Sequence, residues 1–85
     1  MPKVLMYCTR FCPYCVRAER LLTAKGVSID KIRVDDRPEE FTRMVELTGR
    51  NTVPQIFIGE RHVGGYDDLA QLDFEGELDP LLQAS

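Results

Sequence analysis

The chain has 85 residues, 44% of them hydrophobic and 29% charged, which suits one globular domain over residues 1–85 and excludes a disordered chain. Eleven basic against fourteen acidic side chains give a net charge of −3 with no block of like charge, which argues against a nucleic-acid binder, since that needs a basic face, and leaves room for a local basic patch. No apolar run approaches the length needed to cross a bilayer and the first residues lack a secretory pattern, so the expected compartment is the reducing cytoplasm, where three cysteines suggest chemistry before a structural staple.

Val4-Leu5-Met6-Tyr7 is an apolar run too short for a helix and reads as a buried strand. Tyr14 to Lys25 then has helical spacing, with Ala18, Leu21 and Leu22 on one face and Gly26 as the stop. Pro13 suits the first helical position, which makes Cys12 the N-cap. A second strand over Ile29 to Val34 places Ile32 and Val34 on one face, and strand–helix–strand order implies a parallel pair with a right-handed crossover. Pro38 opens a second helix through Leu47 that should bury Phe41, Met44 and Val45, closed by Gly49. Ile56-Phe57-Ile58 and Arg61-His62-Val63 flank Gly59-Glu60 as an antiparallel hairpin. Asp67 or Asp68 can cap a helix running to Phe74, and a further turn follows near Leu78 to Leu82. The expected fold is α/β, thioredoxin-like, a four-stranded mixed sheet flanked by helices.

A Cys-x-x-Cys pair that follows a strand and opens a helix has a mechanical meaning. Its first sulfur lies beside the unpaired N–H groups of the first turn, whose partial positive charge stabilises a thiolate. Cys12 is therefore the expected nucleophile. Cys15, one turn into the helix, is the expected resolving thiol, and Tyr14 places a ring at the mouth. A structural zinc site needs about four ligands, and beyond this pair only Cys8 and His62 are available, so no metal is assigned. Cys8 ends a buried strand and reads as a packed hydrophobe. His62, in the hairpin, reads as solvated. Arg17 and Arg20 read as a solvated helix face able to meet acidic partner surfaces.

Three motifs together carry a family resemblance: Cys12-Pro13-Tyr14-Cys15, then Thr52-Val53-Pro54-Gln55-Ile56-Phe57-Ile58, then Gly64-Gly65-Tyr66-Asp67-Asp68-Leu69. In this order, with the similar ending Gly76 to Leu82, the chain resembles the dithiol glutaredoxins of the bacterial glutaredoxin 3 type. The resemblance implies that Pro54 is cis and faces the active cysteine, and that Thr52 and Val53 offer backbone to a peptide-like ligand. It also assigns the nest at Gly65, Tyr66, Asp67 and Asp68 to the γ-glutamyl carboxylate of glutathione, with Asp67 available to the ligand's ammonium and Tyr14 at the mouth. Asp68 is also suited to capping alone. Relatives commonly carry lysine three residues before the first cysteine, whereas this chain has Thr9. Arg10, Arg37, Arg43 and Arg50 stand as candidates for the glycine carboxylate.

The function implied is glutathione-dependent thiol–disulfide exchange on protein disulfides and glutathione mixed disulfides. Glutathione serves as co-substrate, no other cofactor is needed, and the chain works as a monomer without nucleic acid or membrane. Two alternatives stand beside it. One is a redoxin recharged by a flavoprotein reductase, which the Gly-Gly-Tyr-Asp-Asp nest disfavours. The other is an iron–sulfur carrier ligated through Cys12 and glutathione, which Pro13-Tyr14-Cys15 disfavours.

Overall fold

The first apolar run is strand β1 (Val4–Cys8), and in a computed structural model, which describes residues 2–83, it lies inside a four-stranded sheet. Helix α1 (Pro13–Ala24), β2 (Ile29–Arg33), α2 (Pro38–Thr48), β3 (Gln55–Ile58), β4 (Arg61–Gly64), α3 (Tyr66–Phe74) and α4 (Leu78–Gln83) follow. The sheet order is β2-β1-β3-β4. β1 runs parallel to β2, pairing Val4 with Ile29 through Cys8 with Arg33, and antiparallel to β3, pairing Val4 with Ile58 through Tyr7 with Gln55. β3 and β4 form the expected antiparallel hairpin, with an irregularity between Ile56 and Phe57. This is the mixed, helix-flanked, thioredoxin-like sheet expected from the sequence.

Alternation along β1 feeds two cores, because successive side chains leave a strand on opposite faces. Val4, Met6 and Cys8 join Ala18, Leu22, Ile56, Ile58, Leu69, Leu78 and Leu82 in the larger one, beneath α1, α3 and α4. Leu5 and Tyr7 point the other way, to a smaller core with Val34 and Met44 beneath α2. Ile32 and Val34 share that face, as their spacing predicts, although β2 itself ends at Arg33. The Val34 N–H still donates to the Cys8 carbonyl at 2.9 Å, so pairing outlasts the strand.

Phe41 departs from expectation. One 11-residue helix covers the second face, and only Met44 is sealed; Val45 is half-buried and Phe41 stays at the rim, 39% exposed. The helix ends behave as their residues require. Pro13 and Pro38 occupy first-turn positions where a missing N–H costs nothing, and Gly49 closes α2 in the left-handed conformation with φ of 71°. Among the described residues no helix is long and apolar enough to cross a membrane.

Candidate active site

Cys12 is the N-cap of α1, in extended conformation, and its Sγ accepts the Cys15 N–H at 3.2 Å. That N–H is an otherwise unpaired donor of the first helical turn, and it meets the sulfur that would carry charge as a thiolate. The same sulfur lies 3.8 Å from the Val53 carbonyl oxygen, to which the thiol donates. Cys12 is half-buried, whereas Cys15 is only 5% exposed. Burial, and then the hydrogen bond with Cys12, push the Cys15 thiol up to about 12, so Cys15 rests protonated at neutral pH. Cys8 is buried as expected, and burial raises its pKa as well. All three cysteines are free.

The loop ahead of Cys12 is tied to the end of β2. The Arg10 N–H donates to Asp35 Oδ2 at 3.1 Å, and Arg33 reaches the same carboxylate through Nε and Nη2 at 3.0 and 2.9 Å. This two-pronged contact holds the Asp35 carboxyl well below the usual range, with the Arg10 backbone as a lesser cause.

A cavity of about 210 Å3 opens beside the cysteines, lined by Tyr14, Arg50, Thr52, Val53, Pro54, Gly65, Tyr66, Asp67 and Asp68. It brings together all eight residues that the resemblance assigns to glutathione. The Val53-Pro54 peptide is cis. The Tyr14 and Tyr66 rings stand 6.3 Å apart across the opening. Neither aspartate is the N-cap of α3; that position is Gly65. Asp68, at the third helical position, reaches back instead and accepts the Gly65 N–H at 2.9 Å. Its carboxylate also receives Arg50 Nη1 at 3.0 Å, and both contacts, the Gly65 N–H first, lower its pKa. Gly64, with φ of 117°, must be glycine here, since a Cβ would overlap the Asp68 carboxylate. With Asp68 so engaged, Asp67 is the acidic side chain left facing the cavity.

Arg50 is the basic residue of this cavity. Arg10 lines a different hollow, of about 410 Å3, together with Cys8, Cys12, Cys15, Val16, Lys31 and Arg33, among others. The sulfur of Cys12 thus stands between the two openings.

Behind the cavity wall lies a polar contact that composition does not advertise. Gln55 is fully buried, and its Nε2 donates to the Thr52 carbonyl at 3.0 Å and to Thr52 Oγ1 at 3.3 Å. These two bonds fix the amide orientation, so Gln55 Oε1 accepts from His62 Nε2 at 2.8 Å. His62 is consequently not solvated as expected. It is half-buried, stacks 5.0 Å from the Phe57 ring, and its pKa falls through burial first and the Arg50 charge second. A glutamine heading the otherwise apolar run Ile56-Phe57-Ile58 was the available signal for this network.

The sequence profile named Glutaredoxin matches residues 4–63. A glutaredoxin of Neisseria meningitidis serogroup A is 59% identical over 83 residues, covering 96% of this chain and 98% of its own. Glutaredoxin 3 of Escherichia coli K12 is 48% identical, covering 98% and 100%. A solved buckwheat glutaredoxin–glutathione complex superposes with a TM-score of 0.89 at 28% identity, over 95% of this chain and 76% of the other. Identity at that level, over nearly the full length of its bacterial relatives, places this chain in the glutaredoxin family.

Proposed function

We propose that the chain is a glutathione-dependent thiol–disulfide oxidoreductase that reduces glutathione mixed disulfides and protein disulfides through Cys12 and Cys15. The observation that carries this reading is the position of Cys12 Sγ, which accepts a first-turn N–H and adjoins the Val53 carbonyl at the edge of the cavity.

On a glutathionylated protein, the Cys12 thiolate attacks the glutathione sulfur. A Cys12–glutathione disulfide forms, and the protein leaves as a thiolate that takes a proton from water. A second glutathione thiolate then attacks the glutathione sulfur of that mixed disulfide, releasing oxidised glutathione and the Cys12 thiolate. On a protein disulfide, the Cys12 thiolate attacks one sulfur and expels the other as a thiolate. Cys15 surrenders its proton to that thiolate and attacks Cys12 Sγ, breaking the Cys12–protein bond and releasing the second protein thiolate, which takes a proton from water. The product is a Cys12–Cys15 disulfide, which two glutathione molecules reduce. Two electrons pass in each cycle, carried by sulfur alone.

The cavity suits the tripeptide in three places. The first-turn N–H groups of Tyr66 and Asp67 have no partner within the helix and can take the γ-glutamyl carboxylate. The Asp67 carboxylate matches the ammonium, and Val53 backbone can pair with the cysteinyl unit in strand fashion. Arg50, held beside the α3 N-terminus by Asp68, adds its positive charge to the γ-glutamyl end of the cavity. The buckwheat protein's complex with glutathione supports this use of the fold. Every residue of the cycle belongs to one chain, which supports a monomer, and the cycle fits a reducing cytoplasm with its glutathione pool.

The deciding measurement is turnover of a glutathionylated peptide coupled to glutathione reductase. Turnover that needs Cys12 and saturates with glutathione supports the reading. A folded protein that is inactive with glutathione yet accepts electrons from a flavoprotein reductase would refute it.

A further inference from the structure

The chain is acidic overall, yet the surface around Cys12 is not. Phe11 is 88% exposed, Tyr14 52% and Val16 50%, so three large apolar side chains stand in solvent next to the nucleophile. The Arg10 guanidinium lies 5.6 Å from the centre of the Phe11 ring, and that of Arg17 lies 5.4 Å from the centre of the Tyr14 ring. Stacking of this kind holds a cation over an aromatic face while leaving its N–H groups outward. Among the described residues neither arginine has a carboxylate partner, and neither does the exposed Arg20 on the same helix. The neighbouring carboxylates are already engaged: Glu19 by Lys31 at 2.8 Å and Asp35 by Arg33 at 2.9 Å. The rim therefore offers an apolar patch set between unneutralised cations.

Any disulfide that reaches Cys12 Sγ must pass these side chains. With glutathione in the cavity of Arg50 and Asp67, the rest of a mixed disulfide has to leave across the other opening, where Arg10 and Val16 lie. On the basis of the exchange chemistry proposed above, we infer that this rim is the docking surface for client proteins, and that it selects clients whose reactive cysteine is flanked by acidic and apolar residues. Apolar contact with Phe11 and Val16 supplies area, while Arg10 and Arg17 supply charge complementarity, which acts mainly on encounter rate and partner choice.

The test uses two glutathionylated peptides of equal length, each with one leucine beside the cysteine and either glutamates or lysines flanking it. Each kcat/KM is divided by the peptide's own exchange rate with free glutathione, which removes differences in leaving-group reactivity. The expected ratio favours the glutamate peptide by about tenfold or more at low ionic strength and shrinks as salt is added. In the double variant Arg10→Glu with Arg17→Glu the preference inverts; a common effect of the new charges on Cys12 cancels in the ratio. The glutathione mixed disulfide of 2-mercaptoethanol serves as a substrate too small to span the rim. A ratio near one with this small disulfide turned over, or a preference unchanged in the double variant, would overturn the docking surface and leave the exchange chemistry standing. No turnover of any of the three substrates would remove the exchange reading and the docking surface with it.

Discussion

Two thiols one helical turn apart differ because only one of them faces water. Cys15 is buried and rests protonated, so it can attack only after its proton has somewhere to go, as in a mixed disulfide with a departing thiolate beside it. Cys12→Ser should reduce exchange to the uncatalysed background, since a hydroxyl is not ionised at neutral pH and does not attack sulfur. Cys15→Ser should keep deglutathionylation within about tenfold of wild type while lowering dithiol-dependent reduction at least ~100-fold, the scale of advantage an adjacent group has over one in solution. Loss of both activities in a folded Cys15→Ser protein would show that glutathione does not resolve the intermediate. His62 gives a separate residue-level test. Its folded pKa lies below the ordinary 6.5, so the unfolded chain binds more protons and stability must fall as pH drops from 6.5 towards the folded value. Urea midpoints of wild type and His62→Phe, followed from pH 7.5 to 5, should diverge in slope over that window. Parallel slopes would mean that the ring is not shielded as its burial and the Arg50 charge require.

The elements that carry the site were legible because each is specified locally. Pro13 fixes the start of α1 and so the cap position of Cys12, Gly49 ends α2, and Gly59-Glu60 turns the hairpin. The eight glutathione candidates were reachable only through motif order, since no spacing rule says that Thr52 and Asp67 share one cavity. What sequence left open is long-range and polar. Four arginines stood as candidates for the glycine carboxylate, and sequence could not show that the fold sets Arg50 against the α3 N-terminus and Arg10 against the other opening. Hairpin residues are commonly solvated, so His62 read as exposed until the β3–β4 pairing put it beside Gln55. That contact yields a prediction at the level of the β3–β4 unit. Gln55→Leu leaves a half-buried imidazole and the Thr52 carbonyl short of partners, at a cost of about 1–3 kcal/mol. Because Thr52 and Val53 line the cavity, the apparent KM for a glutathionylated substrate should rise several-fold with kcat little changed. A purely structural Gln55 would lower stability and leave KM alone.

The molecule as a whole is held by two cores of unequal size on one sheet, and the redox site belongs to the larger. Cys12 and Cys15 pack with that core, under α1 and α3, whereas α2 contributes a single sealed residue, Met44, to a core completed by Tyr7 and Val34. Local opening is governed by how much apolar surface each unit must expose, so α2 should open at a lower free energy than α1 or β1. Native-state hydrogen exchange should show α2 amides beyond the first turn exchanging ahead of those in α1. Met44→Ala takes this further. Removing a buried methionine side chain costs about 2–5 kcal/mol, a large share of what an 85-residue domain possesses, and should lower the thermal midpoint by roughly ten degrees or more. The loss falls on the face away from α1 and α3, which meets the site only through Val53, so kcat/KM well below the midpoint should stay within about twofold of wild type. If Met44→Ala instead lost turnover in proportion to stability, or if α1 exchanged together with α2, the two faces would be one cooperative unit. The site would then depend on α2 as much as on the helix that carries its cysteines.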